Sequence, residues 1–221
     1  MLPGGFNSVP DIVARRAVLT QLLASLELPP NPDVMSQDRV IPGPEGEPDI
    51  SVRIYRPVAA AGSLPGIYFI HGGGLAIATA LLARDRGFPA VCFQMPIYPM
   101  IDDRNETASS YEISDIGSWD RAGNIEAWNW YLGEGQADLY AAPARAEDLA
   151  GLPPTFIDVG TVDLFRDEDI EFAMRLMQAG VPTELHVHPG AYHDSEGLAP
   201  EAPLSRRIWE HRIAALRRAL T

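Results

Sequence analysis

Three places in the chain carry residue types that could act together on a carbonyl carbon. The first is His71-Gly72-Gly73-Gly74, which follows an apolar run at residues 65–70. Consecutive glycines let the backbone come close to a ligand and turn successive N–H groups toward it. Donors fixed where charge develops on a carbonyl oxygen form an oxyanion hole. The same residues also read as a plain glycine turn between a strand and a helix. The second place is Asp163, just past Phe156-Ile157-Asp158-Val159-Gly160. A carboxylate at the carboxyl end of a strand can hold a histidine in one tautomer and stabilise its cation. Asp163 and Asp167 also precede a helical stretch, where acidic residues are favoured for electrostatic reasons alone. The third is His193, in Pro189-Gly190-Ala191-Tyr192-His193-Asp194. There it could serve as a general base or simply be a surface histidine. His186 and His188 belong to the preceding strand and read as structural. The three histidines match no standard zinc spacing and have no cysteine among them, so no metal and no cofactor is expected.

These groups need elements to hold them. Apolar residues at helical spacing predict a helix over residues 10–28, ended by Pro29 and Pro30. Extended runs at 36–41 and 50–55 flank a turn-rich segment and predict a β-hairpin. Alternation of Ile50, Val52 and Ile54 with polar neighbours predicts one buried face. From residue 65 the pattern changes. Apolar runs at 65–70, 91–97, 155–159 and 183–188 read as buried strands. Helical stretches at 75–86, 124–133, 167–179 and 204–220 fall between and after them. Alternating buried strands and helices define an α/β fold with a doubly wound, mostly parallel sheet.

Composition narrows the partners. The 221 residues have a formal net charge of -13, which repels phosphate backbones and anionic lipids. Nucleic acid and membrane surfaces are therefore poor partners. No apolar stretch approaches the ~18 residues that span a bilayer. With no secretory leader legible at the N-terminus, a cytoplasmic location is expected. Cys92 is the single cysteine; inside an apolar run it reads as a small buried hydrophobe.

Longer stretches now point one way. They are Leu81-Leu82-Ala83-Arg84-Asp85-Arg86-Gly87, Tyr98-Pro99-Met100-Ile101-Asp102-Asp103-Arg104, and Trp119 with Arg121 and Asn124. Ala141-Ala142-Pro143-Ala144-Arg145, Asp163-Leu164-Phe165-Arg166-Asp167-Glu168 and Gln178-Ala179-Gly180-Val181-Pro182 continue the series. Together with residues 2–74, they resemble the bacterial hormone-sensitive-lipase-like esterases of the α/β-hydrolase superfamily. The resemblance implies that Asp163 is the acid of a catalytic triad and His193 its base. It implies that Gly72, Gly73 and Gly74 form the oxyanion hole, with His71 supporting them. It also implies small-molecule esters as substrates, with a homodimer among the assemblies open to the chain. On this reading residues 1–33 are an N-terminal cap segment and 34–221 a shortened α/β-hydrolase core.

One departure is large. In that family the oxyanion strand leads to another strand, helices and a further strand ending in a Gly-Asp-Ser-Ala-Gly-Gly elbow. Only then comes the helix that here begins Leu75-Ala76-Ile77-Ala78, directly after the glycines. Read as the glycines that follow the nucleophile, Gly72 and Gly73 place the serine slot on Ile70, which has no nucleophilic atom. An in-frame deletion between two similar glycine triplets accounts for both readings. A smaller departure is Asp194-Ser195 after His193, where the family has Gly-Phe. Ser63, Ser109, Ser110, Ser114, Ser118 and Ser195 are the serines near these motifs, and none falls on a strand-to-helix elbow. The chain is therefore expected to be an ester hydrolase by family that is catalytically impaired, the alternative being a non-catalytic, small-molecule-binding remnant. Three geometric expectations follow: residues 67–70 pair in parallel with 91–97, the hairpin closes on the free side of that first strand, and Asp163 still meets His193.

Overall fold

Alternation along two strands decides how the site is held. The computed structural model describes residues 9, 11–25, 31–43, 48–60, 62–70, 72–114 and 118–221. His71 and parts of the 10–28 helix lie outside them. Contacts divide the chain into two compact units, one of them Asp11–Ile67 and the other including Tyr68–Thr221.

In the second unit, β3 (Thr155–Val162) and β4 (Thr183–Tyr192) pair in parallel. Residues 94–97 run along the other side of β3 through the bridges Gln94↔Thr155 and Ile97↔Asp158. Helix α2 (Gly73–Arg86) and helix α5 (Arg166–Gln178) cover one face. There Ile157 packs among Ile77, Leu81, Phe172 and Leu176, all buried. The residues between point to the opposite face. Asp158 and His188 meet the last helix, α7 (Pro203–Leu220), whose buried stripe is Ser205, Ile208, Arg212 and Ala215. Two short helices, α3 (Ala108–Glu112) and α4 (Arg121–Leu132), lie between 97 and β3, and a one-turn helix, α6 (Ser195–Leu198), follows β4. Both strands run past their expected ends. The ladder shifts register between Gly160 and Val162 and resumes at Val162↔Tyr192. Gly160 permits this: a Cβ there would lie 2.0 Å from the Ala191 carbonyl oxygen.

The first unit holds α1 (Ile12–Ser25) and an antiparallel pair, β1 (Val34–Ile41) and β2 (Ile50–Pro57). The hairpin is where the pattern placed it, but its apolar face is not buried. Ile50 and Ile54 are exposed and Val52 is half-buried. A two-stranded ribbon alone buries neither face.

Further expectations are corrected. Residues 65–70 form no strand, and Ile67, Tyr68 and Phe69 are 62%, 67% and 80% exposed. An apolar run becomes a strand only when neighbours take its backbone groups and cover its side chains, and no described residue pairs with this one. The pairing of 67–70 with 91–97 is therefore absent. The hairpin, with no first strand to close on, is a two-stranded sheet of its own. Cys92 is exposed rather than buried, because 91–97 is held by β3 on one side only. Ser109 and Ser110 lie in α3, fully buried.

Candidate active site

Asp163 follows β3, and His193 follows β4, so the parallel pairing of the two strands brings their ends together. His193 Nδ1 lies 3.1 Å from Asp163 Oδ2. The geometry suits an Nδ1–H donating to the carboxylate, which fixes the tautomer that leaves Nε2 as acceptor. Asp163 is 1% exposed, and its other oxygen accepts the backbone N–H of Phe165 at 3.1 Å. Its carboxylate is thus anchored at both ends.

Three aromatic rings frame His193. Tyr98 meets it edge-on at 4.4 Å and 60°, Phe165 edge-on at 5.3 Å, and Trp119 at 6.2 Å. Ser118 Oγ donates to the His193 backbone carbonyl. Among the described residues no hydrogen bond is made by Nε2.

Gly72 caps α2 with φ of 97°, and Gly73 and Gly74 form its first turn. Helix N-termini carry backbone N–H groups without intrahelical partners, so donors are present. Their packing is tight: a Cβ on Gly74 would lie 2.0 Å from the Met100 carbonyl oxygen. The helix start therefore sits against the segment that carries Tyr98. No hydrogen bond or ring contact joins these glycines to His193 among the described residues. Ile70, where the resemblance led us to expect the serine slot, is half-buried and lies outside any helix or strand.

Two of the other serines, Ser109 and Ser110, are engaged elsewhere. Ser109 Oγ donates to the Leu164 carbonyl at 2.8 Å, and Ser110 Oγ to those of Asn105 and Thr107. Ser195 Oγ is buried without a hydrogen-bond partner among the described residues. No serine hydroxyl is hydrogen-bonded to the imidazole among the described residues.

His186 and His188 belong to β4 and lie beside His211 of α7, their ring centroids 4.4 and 5.6 Å from its ring and 5.8 Å from each other. Among the described residues no group of three or more His, Cys, Asp or Glu side chains could hold a metal ion. No helix there is long and apolar enough to cross a membrane.

Behind the site lies a buried charge network that the motifs did not announce. Arg212 reaches Asp158 Oδ2 through Nε at 2.7 Å and Glu196 Oε1 through Nη1 at 2.5 Å. Tyr98 Oη donates to the same Glu196 oxygen at 2.8 Å. Burial pulls the Arg212 guanidinium down, but Asp158 and Glu196 outweigh it and hold it above its ordinary value. Burial, then the Glu196 carboxylate, push the Tyr98 phenol well above its ordinary range, so its hydroxyl is a proton donor. A signal was present: Arg212 occupies the same stripe as Ile208 and Ala215, where an apolar residue belongs.

The alpha/beta hydrolase fold family matches residues 71–196, more than half of the chain. The chain belongs to that family, in its hormone-sensitive-lipase-like esterase group. Among relatives, esterase LipI of Mycobacterium tuberculosis is 35% identical over 151 residues, 66% of this chain and 47% of that protein. Carboxylesterase NlhH of the same species is 34% identical over 155 residues, 67% and 48% of the two chains. The chain spans about half the length of the curated relatives it matches. Among solved structures, a bacterial heroin esterase superposes with a TM-score of 0.88 at 30% identity, over 100% of this chain and 95% of that one.

Proposed function

We propose that the chain is a carboxylic-ester hydrolase by descent whose catalysis is impaired by loss of the nucleophilic serine. Asp163 is the acid, His193 the base, Gly72–Gly74 are the oxyanion donors, and His71 supports them. In a complete triad the serine attacks the ester carbonyl and the histidine carries its proton. Here the acid–base half stands at 3.1 Å while Ile70 occupies the serine slot. That pairing of an intact dyad with an absent hydroxyl carries the reading. The curated relatives' greater length, and the direct passage from Ile70 through the glycines into α2, support an in-frame loss of the elbow.

An oxyanion hole alone supplies at most ~10³–10⁴-fold over water. It too is incomplete, since one amide should come from the residue after the nucleophile. Small esters remain the ligand class of this proposal, and a non-catalytic small-molecule binder is its alternative form. Residues 1–33 as cap, a cytoplasmic location and homodimer formation belong to the same proposal.

The test is turnover of a short-chain chromogenic ester beside labelling by a serine-reactive phosphonate. Neither turnover above background nor labelling is expected, and His193→Ala should change nothing. Turnover with stoichiometric labelling, both lost in His193→Ala, would mean that another serine has been recruited. Resequencing the locus checks the deletion directly.

A further inference from the structure

One hydrogen bond to Asp163 does not by itself orient an imidazole, because the ring can still swing about its Cβ–Cγ bond. The flank of His193 is held by the Tyr98 ring, edge-on at 4.4 Å. Tyr98 is fixed from three directions. Its backbone N–H donates to the Asp158 carbonyl at 2.8 Å. Its φ is 31°, a left-handed conformation that tyrosine adopts only when its surroundings impose it. Its hydroxyl ends on Glu196, which shares an oxygen with Arg212. Arg212 is 3% exposed and also grips Asp158, the residue that receives the Tyr98 N–H.

We infer that Tyr98 is a positioning residue for His193, clamped from behind by Glu196 and Arg212, so that the last helix sets the orientation of the imidazole. A phenylalanine would fill the same space, but only the hydroxyl ties the ring to the charge network. The clamp runs α7, α6, Tyr98, His193 without touching Asp163. It is therefore a second restraint, independent of the dyad hydrogen bond. The inference rests on the dyad of the proposed function, and the two can fail separately.

The test uses the full chain labelled with ¹⁵N-histidine, where long-range proton–nitrogen correlations report the tautomer and Nδ1 proton exchange of His193, assigned by His193→Gln. The unaltered chain should show one Nδ1-protonated tautomer. Tyr98→Leu should mix the tautomers and speed exchange by about two- to tenfold, the scale of one lost edge-to-face contact. Tyr98→Phe, which keeps the ring but drops the Glu196 bond, should fall between. A merely structural role would lower the unfolding midpoint and leave tautomer and exchange as they were; that result in folded Tyr98→Leu overturns the inference. If circular dichroism shows Tyr98→Leu unfolded, Tyr98→Phe and Glu196→Gln decide. Faster exchange in both supports the clamp, and unchanged exchange overturns it. Asp163→Asn tests the dyad alone: an unchanged His193 tautomer there would sink the dyad reading while the Tyr98 variants still report on the clamp.

Discussion

Two apolar stretches of similar character meet opposite fates. Residues 155–160 of β3 are all buried, whereas Ile67, Tyr68 and Phe69 are exposed. β3 has β4 on one side, the 94–97 segment on the other, and helices over both faces. The 65–70 run has no described partner for its backbone. Composition nominates a strand; hydrogen-bonding neighbours and cover make one. Charge repeats the contrast. Arg212–Asp158 is a buried pair at 2.7 Å, and Arg53–Asp38, across the hairpin, is an exposed pair at 2.6 Å. Equal distances do not mean equal energies, because water screens the second and not the first.

The largest expected effect tests that last point. Arg212→Met leaves Asp158 and Glu196 buried without their cation and should lower the unfolding free energy by ~3–5 kcal/mol. Arg53→Met should leave the urea midpoint where it was. Similar shifts in both would break the comparison between the two regions.

A smaller and pH-dependent effect is expected at Asp169, in the first turn of α5. Both its carboxylate oxygens are buried with no hydrogen-bond partner among the described residues. Burial, then the nearby Glu168, Asp163 and Asp158, push its pKa well above the ordinary 3.8. The folded chain thus holds this proton more tightly than the unfolded chain does. Its contribution to stability is fully present below the unfolded pKa and is lost as pH rises toward the folded one. Asp169→Asn should therefore gain stability relative to the parent chain as pH rises. The gain grows by about 1.4 kcal/mol per pH unit inside that window and is near zero at its acid end. Parallel stability–pH curves for the two proteins would show that this carboxyl is solvated after all.

The smallest effect is expected at Phe69. Its ring is 80% exposed, so Phe69→Ser should move the unfolding free energy by less than ~0.5 kcal/mol. Exposed apolar patches favour association, so light scattering at high concentration should fall. A large loss of stability would mean that the ring has a packing partner in solution.

Much of the second unit was legible because period and composition agree there. The strands at 155 and 183 and the helices at 73, 121, 166 and 203 lie within a few residues of their expected starts. Their far ends were harder: Pro189-Gly190 reads as a stop, yet β4 continues to Tyr192 because the register shift restores pairing. Asp163 and His193 were legible as strand-end residues, and the parallel pairing put them together. Tyr98 and Glu196 were not, and Arg212 showed only as a charge in an apolar stripe: the three share no motif, and Glu196 and Arg212 lie 98 and 114 residues beyond Tyr98. Only packing of α7 on the sheet unites them.

The sequence by itself carried the family resemblance, the order along the chain of the glycines at 72–74, Asp163 and His193, and the isoleucine two residues ahead of those glycines. Those are properties of residue type and spacing along the chain. Tertiary structure alone decided that the 65–70 run stays exposed, that Cys92 faces outward, and that His193 is braced through Tyr98 from the last helix. Burial and through-space contact depend on which neighbours are present, and a linear pattern does not carry that information.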